Sequence, residues 1–214
     1  MARARKQIES APSSADLALL ARREIASDIG RVRLGASKIL RVVSGQAPQS
    51  VYPHFDFLVG LLGSQNHILK WNATLTLANL APVDADGRLD RIMDAYLAPI
   101  QGPNMIDAAN AIRGAAAIAV AKPHLAPTIA GCILAVEHAS YATAECRNVA
   151  IGHAIRALDG FFDAFGDKRG VLLFVRRQAG NPRPATRAKA ERFLRKWGGQ
   201  AQAAARKPQA GRGS

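Results

Sequence analysis

One pattern constrains this chain more than any other: an Ala, an apolar residue four positions later, and another three beyond that. It is clearest in residues 68–81, ILKWNATLTLANLA, as Ala73, Leu77 and Leu80. The same triplet returns as Ala36, Leu40 and Val43, as Ala111, Ala115 and Ile118, as Ala150, Ala154 and Ala157, and as Ala190, Leu194 and Trp197. The five alanines stand 37, 38, 39 and 40 residues apart. Such offsets place each triplet on one stripe of a helix, and an Ala at its head lets a neighbouring helix approach closely. A second apolar segment precedes every triplet, so the repeating unit is a pair of helices. One pair cannot bury its apolar face alone, whereas stacked neighbours complete each other's core. The sequence therefore predicts an all-α chain of about five helix pairs.

The preceding segments and the turns fix the rest of the organisation. Leu17, Leu20, Ile25 and Ile29 form the first apolar stripe, with Ser14 or Asp16 suited to cap its start. VYPHFDFLVGLLG supplies the second, with Pro53 in a first turn that has no backbone donor to lose. Leu89, Ile92, Met93, Tyr96 and Leu97 form the third; LAPTIAGCILAVEHA and RGVLLFVRRQA are the fourth and fifth. Turn residues separate the helices within pairs: Gly63, Ser64 and Asn66, then Gly102, Pro103 and Asn104, then Gly180, Asn181 and Pro182. Residues 15–197 read as the repeat domain. Residues 1–14 read as a flexible arm, and 198–214, rich in Gly, Gln, Ala and Arg, as a disordered basic tail.

Periods of this length with two helices each resemble the HEAT-repeat family, of the armadillo-like class. The resemblance covers residues 15–197 and rests on a basic residue three positions before the anchoring Ala: Arg33, Lys70, Arg147 and Arg187, with Ala108 in the third unit. It implies a right-handed α-α superhelix, or solenoid, whose second helices line a concave surface, and it nominates Arg33, Lys70 and Arg147 for that surface. The chain departs from the family in its turns. Where the family often carries an Asp that pairs along the stack, the turns here offer Asp28, then Ser64, Asn66, Asn104 and Asn181.

Charge supplies the best functional signal. The net charge is +13, and residues 168–214 hold thirteen Lys or Arg against Glu191 alone, whereas residues 11–167 are close to neutral. Arg176, Arg177, Arg187, Arg192 and Arg195 are the candidates for contact with phosphate or an acidic partner. Cations that neutralise phosphates give largely sequence-independent, salt-sensitive affinity. A terminal repeat also needs a polar outer face, but that need does not select one sign of charge.

The remaining side chains offer little chemistry. Cys132, His138, Cys146 and His153 are spaced six, eight and seven apart, unlike structural zinc sites with ligands two to four residues apart. No phosphate-binding or dinucleotide glycine motif is present, and no nucleophile is marked by a base and an orienting group. No cofactor or metal is expected. The longest apolar run is short of a membrane span and no apolar leader follows Met1–Lys6, which makes cytoplasm the expected location, with reduced thiols. The reading is a non-catalytic scaffold that binds another macromolecule, foremost a protein. The alternative is a nucleic-acid-binding protein using the basic last repeat and tail. A third reading is an enzyme like the DNA-repair glycosylases built from HEAT-like repeats; Trp71 and Trp197 invite it, yet no Asp accompanies Trp71 on its helix, where Leu75 is one turn on.

Overall fold

A computed structural model describes residues 12–164 and 168–205, and every regular element among them is helical. The helices are α1 (Ser14–Glu24), α2 (Gly30–Gln46), α3 (Pro48–Val51), α4 (Phe55–Leu62), α5 (His67–Asn79), α6 (Arg88–Leu97), α7 (Met105–Ala121), α8 (Ala126–Leu134), α9 (Ala144–Phe161), α10 (Arg169–Gln178) and α11 (Pro184–Ala205). Among these residues no helix is long and apolar enough to cross a membrane.

Local chemistry starts these helices. Ser13, one residue before the expected cap, closes a capping box: its Oγ accepts from the Asp16 backbone N–H at 3.2 Å, and the Asp16 carboxylate accepts from the Ser13 N–H at 3.2 Å. Asn66, Asn104 and Thr143 cap α5, α7 and α9 through their side-chain oxygens, the asparagines each accepting from two backbone N–H groups of the first turn and Thr143 from that of Cys146. The asparagines of the turns therefore satisfy helix N-termini.

Each repeat triplet lies on the second helix of a pair, and these second helices pack in succession: α2 on α5, α5 on α7, α7 on α9 and α9 on α11. The anchors Ala36, Ala73, Ala111, Ala150 and Ala190 are all buried, none more than 4% exposed. Small residues elsewhere permit similar approaches. A Cβ on Gly114 would lie 2.0 Å from the Tyr96 hydroxyl oxygen, which needs that space to donate to the Thr74 carbonyl at 2.9 Å. A Cβ on Gly152 would lie 2.7 Å from Thr186 Oγ1, on the neighbouring α11.

Two expectations need correction. On α1 the buried residues are Ala18 and Ala21, followed by Ile25, while Leu20 is 56% exposed and Ile29 serves as the N-cap of α2, 54% exposed. Among the described residues none covers that side, so the small residues face the core and the larger ones remain outside. At the other end α11 continues through Ala205, into the stretch read as tail. Gln and Ala at 200–205 are good helix formers and nothing there breaks the helix. Residues 1–11 and 206–214, the rest of the arm and tail, lie outside the described residues.

Candidate functional site

The second helices sort their polar residues by register. One position after each anchor come Ser37, Thr74, Ile112 and Ile151, all buried, then Glu191, which is exposed. Three positions before come Arg33 and Lys70, half-buried, Ala108, buried, and Arg147, half-buried, then Arg187, exposed. These rows face the following pair. Among the described residues no helix follows α11, whose exposed Arg187, Glu191 and Arg195 form a charged edge.

Two other positions place exposed cations on four of the five second helices. Two after the anchor stand Lys38, Arg113 and Arg192, exposed, with Leu75, half-buried, and Gly152, buried, between them; six after stand Arg156 and Lys196, exposed, with Val42 and Ala117, exposed, and Asn79, half-buried. Offsets of two and six are one helical turn apart, on one face. Among the described residues Lys38, Arg113, Arg156 and Arg192 make no ion pair and no side-chain hydrogen bond. This open line is the candidate interface.

Two cavities lie along it. The larger, about 440 Å³, has Arg113 on α7 and His153 and Arg156 on α9 at its rim, over Ile112, Ala116 and Ala157. The smaller, about 220 Å³, brings Arg41 of α2 and Asn79 of α5 to the same Arg113. No carboxylate borders either one. Arg41 Nε is buried without a hydrogen-bond partner. At the α11 side Lys189 Nζ donates to the Gly152 carbonyl at 3.1 Å. Burial, with the charges of Arg183, Arg156 and Arg192, pushes the Lys189 ammonium below its usual range. Burial also pushes the His153 imidazole down, helped by Lys189, Arg156 and Arg183. Both groups sit in a field with too little negative charge.

Several cations elsewhere are matched to acids. Asp107, in the first turn of α7 and 8% exposed, accepts from His67 Nδ1 at 3.2 Å, from Lys70 Nζ at 3.3 Å and from Trp71 Nε1. Asp159 Oδ1 accepts from Lys196 Nζ at 2.8 Å and Trp197 Nε1 at 2.7 Å. On the first-helix side Lys122 bridges Asp84 and Asp90, each at 2.9 Å. Burial alone would raise the Asp84 carboxyl, but hydrogen bonds from Lys122, Tyr52 and two backbone N–H groups hold it below its ordinary value. Hydrogen bonds from His124 and Lys122 lower Asp90 to about 2.

The residues nominated from sequence are thus dispersed. Lys70 is neutralised by Asp107, Arg33 donates to the Ser27 carbonyl at 3.3 Å, and Arg147 is half-buried beside α11. Arg177 grips Glu137 through two bonds of 2.9 and 2.6 Å, Arg176 is exposed on the first helix α10, and Arg187 and Arg195 lie on the terminal edge. Only Arg192 of that set stands on the open line. Sequence reasoning missed Lys38, Arg41, Arg113, Arg156 and Lys189. The anchor alanines held the needed signal, since they fix which offsets face solvent.

Cys132 and Cys146 are free thiols, and among the described residues no group of three or more His, Cys, Asp or Glu is placed to hold a metal ion. No family model matches the chain, and no curated protein matches it. It is similar to the crystal structure of an engineered protein, at 16% identity and a TM-score of 0.51, over 86% of this chain and 83% of that one, a likeness of fold alone.

Proposed function

We propose that the protein is a non-catalytic scaffold, a right-handed solenoid of five HEAT-like helix pairs whose second helices bind an acidic macromolecule. The successive packing of α2, α5, α7, α9 and α11, with one buried row per interface, supports the solenoid. One observation carries the binding role: among the described residues the open line holds Lys38, Arg113, Arg156 and Arg192 without acidic partners, and no carboxylate lines either cavity along it. Unpaired surface charge of one sign draws a partner of the other sign and steers its approach. A protein with an acidic surface and a nucleic acid both satisfy that requirement.

The glycosylase-like reading gains a neighbour for Trp71, because α7 brings Asp107 to it. That carboxylate already accepts from three donors and is buried, which suits a structural acceptor better than a reacting acid. The test of the binding role is elution from a polyanionic heparin column. Arg113→Glu with Arg156→Glu should elute at clearly lower salt than Arg23→Glu with Arg176→Glu, a pair of equal net charge on first helices. Equal elution would remove the open line as the binding surface.

A further inference from the structure

We infer that the cavity between α7 and α9, rimmed by Arg113, His153 and Arg156, is a phosphate site for the backbone of duplex nucleic acid. The inference rests on the acidic-partner reading and names the partner. Two guanidinium groups and an imidazole converge on one apolar-floored cavity, and no carboxylate lines it. The nearest acid on α9 in that direction, Asp159, is occupied by Lys196 and Trp197. Guanidinium forks suit phosphate oxygens, and an anion here would relieve the mutual repulsion of His153, Arg156, Arg183 and Lys189.

The arrangement beyond the cavity favours a repeating polyanion over an acidic protein patch. Cations follow a line from Arg41 on α2, past α5, which adds none to it, through Arg113 to Arg156 and Arg192, with Arg113 shared between both cavities. Neighbouring packed helices are about 8–10 Å apart, so Arg113, Arg156 and Arg192 present charge at successive steps across α7, α9 and α11. A protein interface needs an apolar, desolvated centre, and the cavity rim supplies charge instead. Single strands are held by stacking bases on aromatic side chains. The aromatics of the second helices are turned away from such use: Phe161, Phe193 and Trp197 are buried, and Trp71 donates to Asp107. A duplex gripped by its phosphates needs no stacking platform.

The test titrates a mixed-sequence 30-base-pair duplex and poly-glutamate against the full chain from low to high salt. Arg113→Gln, Arg156→Gln and, as control, Arg176→Gln on α10 are compared with the unsubstituted protein. The expected result is duplex binding whose log–log salt slope falls by about one for each of Arg113 and Arg156 removed, with no change for Arg176. Binding should also strengthen from pH 8 to pH 6, because a bound phosphate favours the protonated form of His153, which faces Arg113, Arg156, Arg183 and Lys189. His153→Gln should remove that trend. Duplex binding with the same slope in all three arginine variants would overturn the site. Poly-glutamate binding without duplex binding would overturn the inference and leave the acidic-partner reading standing. Binding of neither would overturn both.

Discussion

Lys70 and Arg156 are both cations on second helices, yet their surroundings differ. Lys70 lies on a buried row, where the next second helix delivers Asp107 to it, together with His67 and Trp71. Arg156 lies on the open line, where its neighbours are Arg113, His153 and Lys189. The difference originates in register: Lys70 stands three positions before its anchor, and Arg156 six after. Four before the anchor of α7 is Asp107, which faces back to α5 and meets Lys70; the same position on α11 is Thr186, whose hydroxyl donates to the Asn148 carbonyl at 2.8 Å and brings no charge. Cations that meet a carboxylate at a helix interface belong to the packing, and those that meet only other cations are left for a partner.

Removing Asp107 should break this division most visibly. Asp107→Ala leaves Lys70 and the Trp71 N–H without their acceptor, at a cost of about 3 kcal/mol. For a domain of this size that corresponds to a fall in Tm of roughly 6–12 °C. Salt-dependent binding of a polyanion should stay as it was. Arg156→Gln should do the reverse, with an unchanged Tm and weaker binding. A D107A protein that melts like its parent would place Asp107 outside the packing. Next in size is Ala150→Leu, which overpacks α9 against its neighbours at about 1–3 kcal/mol without touching any charge. Unchanged thermal unfolding would show that the anchor does not set the helix spacing.

The buried half of this comparison was readable in the sequence, and the open half was not. Offsets of four and seven from Ala36, Ala73, Ala111 and Ala150 mark residues that are buried in every case, because a close helix contact tolerates few alternatives. The row three before the anchor looked functional since it holds Arg33, Lys70 and Arg147. Helix geometry instead turns that row toward the next pair, and the acid that meets Lys70 comes from 37 residues away. Pairing over that distance leaves no local signal. Nor does the open line repeat a residue type: Lys38, Leu75, Arg113, Gly152 and Arg192 share an offset and no chemistry. On α1 the larger apolar residues suggested the buried side, but no described residue packs over Leu20, which is outside, while Ala18 and Ala21 are inside.

A second matched cluster lets pH distinguish the two kinds of charge. Asp90, lowered to about 2 by His124 and Lys122, is more acidic folded than unfolded. Its contribution to stability is therefore complete above about pH 4 and is lost as the pH falls toward 2. Asp84, also lowered, acts in the same direction. Asp90→Asn should flatten the acid limb of the stability curve measured by urea unfolding between pH 5 and pH 2.5. An unchanged limb would mean that the Lys122 cluster contributes no more than an exposed pair. His153 has the opposite consequence for its region: its lowered value makes protonation unfavourable in the free protein, so stability declines slightly as the pH falls below about 6.5.

The smallest effect bears most directly on the boundary between the two classes. Arg177 belongs to the basic C-terminal region, where sequence alone places phosphate contacts, but its guanidinium meets Glu137 in two bonds and holds that carboxyl below its usual range. The arginine is 57% exposed, so solvent screens the pair. Arg177→Ala should cost only about 0.5–1 kcal/mol. Gln178 Nε2 still donates to Glu137 at 2.7 Å, which keeps α10 tied to the loop that follows α8. Because Arg177 already has its anion, its loss should leave the salt slope of polyanion binding unchanged, although the protein's net charge falls by one. A slope reduced as much as by Arg156→Gln would mean that a bound polyanion displaces Glu137. Pairing in the free protein would then no longer identify which cations are held back from a partner.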